Sequence, residues 1–133
     1  MKLQVRGAET FATTGGRLFD PKQPTLVFAH GAGMNRIVWS LQTRYFAHHG
    51  YAVLAVDFPG HGRSKGTLLG SVQEWADWIP DLLDSAGVDR AILVGHSMGS
   101  LIALDCAARH PERVSKLALL DAAAEMPVHP DLL

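Results

Sequence analysis

A serine held between two glycines, Gly95-His96-Ser97-Met98-Gly99, carries the clearest chemical capacity in this sequence. A serine hydroxyl is a weak nucleophile in water. It becomes effective when a base can take its proton and fixed N–H donors face the charge its attack creates. The run before it, Ala91-Ile92-Leu93-Val94, is apolar and partly β-branched and reads as a buried strand. The run behind it, residues 101–109, reads as a helix. A strand, a tight turn with Ser97 at its apex and a helix together make the context of a nucleophile elbow. Side chains at 95 and 99 would collide with the neighbouring strand and helix, and glycine removes them. Ser97 then stands at a helix N-terminus, where the dipole and free N–H groups favour negative charge.

Two further loops could bear chemistry. Phe28-Ala29-His30-Gly31-Ala32-Gly33 is a glycine-rich turn leaving the apolar run Thr25–Ala29, and Asp57-Phe58-Pro59-Gly60-His61-Gly62-Arg63-Ser64 leaves the apolar run 51–56. His30, His61 and His96 fall at the C-terminal ends of strands and hence on one rim. No metal-ligand spacing accompanies them, so they read as residues that pack and hydrogen-bond within their loops, and no metal is assigned. His48 and His49 are adjacent on a helix and cannot face one ligand together. Cys106, in the apolar helix after Ser97, reads as a buried inert thiol. Ser64 and Ser100 read as ordinary polar positions.

The elements that position these loops follow from pattern. Residues 2–6 and 9–14 read as two strands around Gly7. Residues 36–49 show helical spacing at Ile37, Leu41 and Tyr45, with Gly50 as the stop. Ser71-Val72-Gln73-Glu74 is a capping box opening a helix whose stripe is Trp75, Trp78, Ile79, Leu82, Leu83 and Ala86. Pro80 should kink or break that helix, and Gly87 should end it. The helix after Ser97 runs to about His110, which the helix dipole favours there, and Pro111 closes it. Residues 114–120 read as a last strand, followed by Asp121 and a proline-containing tail with His129. Four strands alternating with three helices after a short β pair predict an α/β fold: a mostly parallel sheet with helices on both faces.

These motifs, from Leu3 to Leu120, resemble the α/β-hydrolase fold superfamily, in its serine-hydrolase form and over its N-terminal part. The resemblance implies that Ser97 attacks an acyl carbonyl and that the N–H groups of Ala32 and Met98 form the oxyanion hole. It implies a structural role for Asp57, as the first residue of a D-x-x-G-x-G-x-S loop. Serine at the elbow sets the chain apart from the branches that use Asp there. The triad order in this fold is Ser, then Asp or Glu, then His. Ser97, Asp121 and His129 formally satisfy it in compressed form; otherwise Asp121 is strand-end loop chemistry and His129 part of a tail. The strands and lid that carry the acid, the histidine and substrate selection in the resembled fold have no counterpart within these 133 residues.

Composition agrees with one domain over residues 1–133: 47% of residues are hydrophobic and 19% charged, enough for a packed core. A net charge of −1 without a basic run gives no reason to expect nucleic acid. One cysteine excludes an internal disulfide and fits a reducing, cytoplasmic setting. Neither a signal peptide nor a membrane span is expected. The expected function is hydrolysis of a carboxylic ester or related small acyl substrate without a cofactor. The alternative is a catalytically incomplete chain acting only in binding or assembly. Residues 114–120 carry one charge, so as an edge strand they predict self-association or a need for a complementing C-terminal half.

Overall fold

The structure, a computed structural model, describes residues 1–123 and 130–132. Strands β1 (Lys2–Val5), β2 (Ala8–Thr13), β3 (Thr25–Ala29), β4 (Ala52–Val56), β5 (Ala91–His96) and β6 (Val114–Leu120) form one sheet in the order β1-β2-β4-β3-β5-β6. The first two pair antiparallel with each other, and β2 pairs antiparallel with β4. The strands from β4 to β6 are parallel. The α/β architecture expected from the alternation is therefore present.

Both faces of the sheet are covered over β4, β3 and β5, and those strands show it in their side chains. Leu26, Phe28, Val53, Ala55 and Val94 point to one side, under helix α1 (Ser40–Ala47). Val27, Ala29, Leu54, Val56 and Leu93 point to the other, under α2 (Val72–Ala86) and α3 (Met98–Arg109). Burial on both sides explains why β3 and β4 read as unbroken apolar runs rather than alternating ones. Trp75 and Trp78 are core residues packed edge-on against Phe58. Among the described residues, no helix is long and apolar enough to cross a membrane.

Helix α2 begins as the capping box requires. Ser71 Oγ accepts the Glu74 N–H, while Glu74 reaches back to the N–H of Gly70, one residue further than the usual partner. Gly87 ends it in the left-handed region, φ 71°. Pro80 does not break it: the helix is continuous over 15 residues. Trp75, Trp78, Ile79, Leu82 and Leu83 on one buried face hold both halves against the sheet. That packing outweighs the one backbone hydrogen bond that proline removes.

The segment before β4 departs from expectation. Residues 36–39 form a 3-10 turn, and α1 begins only at Ser40. The stripe Ile37, Leu41 and Tyr45 faces solvent, Leu41 being 81% exposed, and Trp39, Thr43 and Ala47 face the sheet instead. The reason is the turn at Gly15. A Cβ there would overlap the Thr43 carbonyl and the Ala47 side chain, so the turn needs the small side of the helix against it. Trp39 and Phe46 supply the apolar contact, both against Phe28.

Strand β6 lies at the sheet edge. Val114 is buried and the six residues after it are exposed. Its only hydrogen-bonded neighbour among the described strands is β5.

Candidate active site

Ser97 sits between β5 and α3 with φ 54° and ψ −118°. Positive φ is strained for a residue with a Cβ and persists only where its surroundings enforce it. Those surroundings are visible. A Cβ on Gly95 would overlap the Gly99 carbonyl, and one on Gly99 would overlap the Ala29 carbonyl of β3. The two glycines thus let α3 close on β5 and β3 together, and the turn between them has no slack.

The far end of β6 completes the restraint. The Ser97 N–H donates to the Leu120 carbonyl at 3.0 Å. Ser100 Oγ lies 2.8 Å from that carbonyl and 2.8 Å from the Gly95 carbonyl, fully buried. Ser100 is therefore not an ordinary polar position. It ties both flanks of the elbow to β6, and only the three-dimensional register of β6 on β5 reveals this.

Asp121 follows directly, with φ 51°, and its Oδ2 lies 2.9 Å from His96 Nε2. The compressed triad of Ser97, Asp121 and His129 thus meets a different arrangement, in which the partner of Asp121 is His96. His129 lies outside the described residues. Each of the six described histidines is bonded to a group other than Ser97.

The loop after β3 faces the elbow. A Cβ on Gly31 would lie 3.4 Å from Ser97 Cβ and 3.3 Å from both His96 Nδ1 and Met34 Sδ. Met34 N–H closes the turn onto the Gly31 carbonyl at 3.2 Å, with Ala32 inside it and exposed. Met98 is the first residue of α3, so its N–H belongs to the helix-start donors that have no intrahelical acceptor. Behind the loop His30 is fully buried. Its Nε2 accepts the Phe58 N–H at 3.2 Å and its Nδ1 lies 2.8 Å from the Gly31 carbonyl, a pattern that needs a neutral ring with the proton on Nδ1. Desolvation holds its pKa below the ordinary value, opposed by the Gly31 bond.

Asp57 shapes the rim and is spent on structure. Its buried carboxylate accepts the N–H groups of Arg36 (2.7 Å) and Arg63 (2.8 Å) and pairs with the Arg36 guanidinium. Ser64, also buried, donates to the Asp57 carbonyl at 2.6 Å and accepts the Phe11 N–H at 2.8 Å. Like Ser100, it is a clamp that the linear sequence does not distinguish. Cys106 is buried in α3, and desolvation, reinforced by Asp105, pushes its thiol up to about 12. His110 caps the end of α3 and bonds Asp77 at 2.7 Å.

Comparison with known proteins places this geometry among relatives. The profile of the alpha/beta hydrolase fold family matches residues 24–133. The chain is 38% identical over 108 residues to a putative non-heme haloperoxidase of Mycobacterium phage D29, covering 80% of this chain and 39% of that one. It is 39% identical over 101 residues to a pimeloyl-[acyl-carrier protein] methyl ester esterase of Aromatoleum aromaticum, covering 74% and 37%. Among solved structures, a membrane phospholipase A described as a bacterial virulence factor superposes with a TM-score of 0.85 at 36% identity, covering 97% of this chain and 41% of the other. The chain thus spans less than two fifths of the length of these two curated relatives.

Proposed function

The chain belongs to the alpha/beta hydrolase fold family, and from that premise we propose that it carries the nucleophile and oxyanion hole of a serine hydrolase acting on carboxylic esters or related acyl compounds. The carrying observation is the backbone of Ser97, held at positive φ by Gly95, Gly99 and the Leu120 carbonyl. In the proposed reaction Ser97 Oγ bonds to the acyl carbon and gives its proton to a base. The Ala32 and Met98 N–H groups hold the carbonyl oxygen as it becomes an oxyanion. The alcohol leaves with the proton, and water then releases the acid from the acyl-serine. No described histidine is assigned as the base, because each of the six is engaged elsewhere. The esterase name of one relative supports the ester reading. The single buried thiol fits a reducing, cytoplasmic setting.

A second reading, a chain that binds or assembles without turnover, is favoured by the lack of a base facing Ser97 among the described residues. Labelling by a fluorophosphonate probe followed by intact mass separates the two. The expected result is slow, single-site labelling that vanishes in Ser97→Ala and accelerates when a C-terminal half from a relative is supplied. Labelling unaffected by Ser97→Ala would overturn the nucleophile assignment. Rapid ester turnover by the chain alone, lost in both Asp121→Ala and His129→Ala, would instead restore the compressed triad.

A further inference from the structure

Single exposed apolar side chains are ordinary on a protein surface, but a row of them is not. The outer side of the segment 36–47 carries such a row. Ile37 is 64% exposed, Leu41 81% and Tyr45 57%, and Val38 beside Ile37 is exposed as well. Four-residue spacing sets Ile37, Leu41 and Tyr45 along one side. The opposite side is anchored to the sheet through Trp39, Thr43 and Ala47. The row cannot turn inward, because the Gly15 turn fills the space against Thr43 and Ala47. That same turn leads, three residues on, to Leu18, which is 98% exposed.

The charged groups around this row share a sign. Between Asp20 and Asp57 the sequence has no Asp or Glu, but it has Lys22, Arg36 and Arg44. Arg36 is committed to Asp57. The side chains of Arg17, Lys22 and Arg44 have no partner among the described residues. The nearest carboxylate in the chain before them, Asp20, accepts the Lys22 N–H at 3.0 Å and so is tied to its own loop. Arg44 and His48 adjoin Leu41 and Tyr45 on the helical surface. They also line a groove of about 380 Å³, between α1 and the Gly15 turn, that contains no carboxylate. His49 stacks on Tyr45 with ring centroids 4.0 Å apart. The flanks of the row are therefore neutral or positive.

Shape and charge together select what this surface fits. An amphipathic peptide helix docks into an apolar groove, whereas these side chains stand on the convex outside of a helix. A bilayer interface accepts a convex apolar row to the depth of its acyl boundary, and anionic lipids attract the Lys and Arg beside it. Tyrosine is enriched at that same boundary. We propose that the outer side of residues 36–47, with Arg17 and Leu18, is a docking surface for an anionic lipid bilayer. Leu18, Ile37, Leu41 and Tyr45 enter the interface, and Arg17, Lys22 and Arg44 meet the lipid phosphates. The surface uses none of the elbow residues, so it stands apart from the assignment of Ser97.

Flotation with vesicles in a density gradient tests this, since protein aggregates do not float. Vesicles of phosphatidylcholine alone are compared with equal mixtures of phosphatidylcholine and phosphatidylglycerol. The chain should float with the mixed vesicles, far less with phosphatidylcholine alone, and should be released by high salt. Leu41→Ser should weaken binding to the mixed vesicles about tenfold, and Tyr45→Ser serves as an independent second substitution. Arg44→Gln should weaken it about fivefold and leave residual binding to phosphatidylcholine unchanged. Leu119→Ser, on the exposed β6 edge, should bind as the parent does. Leu41, Arg44, Tyr45 and Leu119 are all exposed, so the variants should keep the parent's urea midpoint. Failure of the parent to float, equal flotation with both vesicle types, or loss with Leu119→Ser but not Leu41→Ser would overturn the proposal. So would an acidic Glu- and Leu-rich amphipathic peptide that binds this face and is not displaced by the mixed vesicles, which would assign it to a protein partner.

Discussion

Removing the Asp57 carboxylate should be among the most damaging single changes in this chain. Asp57→Ala leaves the Arg36 guanidinium, only 13% exposed, without its counter-charge, and the N–H groups of Arg36 and Arg63 without their acceptor. Breaking a buried pair from one side costs about 3–5 kcal/mol, against a total stability of roughly 5–15 kcal/mol for a domain. Arg36→Ala exposes the complementary error, a buried carboxylate held by two N–H donors alone. Once both charges are gone, only the two unpaired N–H groups remain as a penalty, at about 1–3 kcal/mol each before any water reaches them. At the midpoints of those ranges the double variant should be destabilised by about 4 kcal/mol less than the sum of the singles. Urea unfolding followed by tryptophan fluorescence measures this, because Trp75 and Trp78 pack on Phe58, the residue after Asp57. Asp57→Asn, which keeps the shape and one acceptor oxygen, provides a milder variant that stays folded. Single losses below about 1 kcal/mol, or additivity within about 0.5 kcal/mol, would refute the claim that this pair holds the loop.

Other expectations follow from the same structure. Ser100→Ala should cost about 1 kcal/mol, since one hydroxyl proton serves two carbonyls, and should speed hydrogen exchange at the Ser97 amide more than at the amides within α3; unchanged exchange at Ser97 would count against the clamp. Because burial lowers the His30 pKa, the unfolded chain binds this proton first as pH falls. Stability from this residue is complete above about pH 6.5 and declines below it, towards the lower folded-state pKa, by at most about 1.4 kcal/mol per pH unit. Unfolding titrations between pH 7.5 and 5 in the parent and His30→Gln should show that slope only in the parent. The exposed β6 edge, with Lys116 as its one charge, should drive self-association; size-exclusion chromatography with light scattering that finds a monomer at high concentration, with full exchange protection over β6, would reject this.

Much of the arrangement could be read from residue order, for physical reasons that differ by element. Strands β3 to β5 announce themselves because two-sided burial demands continuous apolar runs. The elbow is legible because its two glycines answer steric demands that no other residue can meet. The capping box and Gly87 are local devices and were placed correctly by local rules. The outward face of α1 was not legible, because the choice between the Ile37 stripe and the Trp39 stripe is made by a turn more than 20 residues upstream. Ser64 and Ser100 look like surface serines until their acceptors, on other strands, are known. The pairing of His96 with Asp121 likewise depends on the β5–β6 register, which sets His96 opposite Leu120. Pro80 shows the converse, a strong local rule overruled by a well-packed face.

The bond from Ser97 to Leu120 also sets an order of events during synthesis. The serine emerges from the ribosome with α3 and the rest of the sheet still to come, and at that stage nothing requires its backbone to hold a costly positive φ. One of the groups that hold it, the Leu120 carbonyl, is made 23 residues later, so the full set of restraints is in place only after β6 has docked. A nascent chain halted before residue 120 would carry the same serine without this restraint. The backbone restraint at this position is thus completed only once the strand beside it has been assembled.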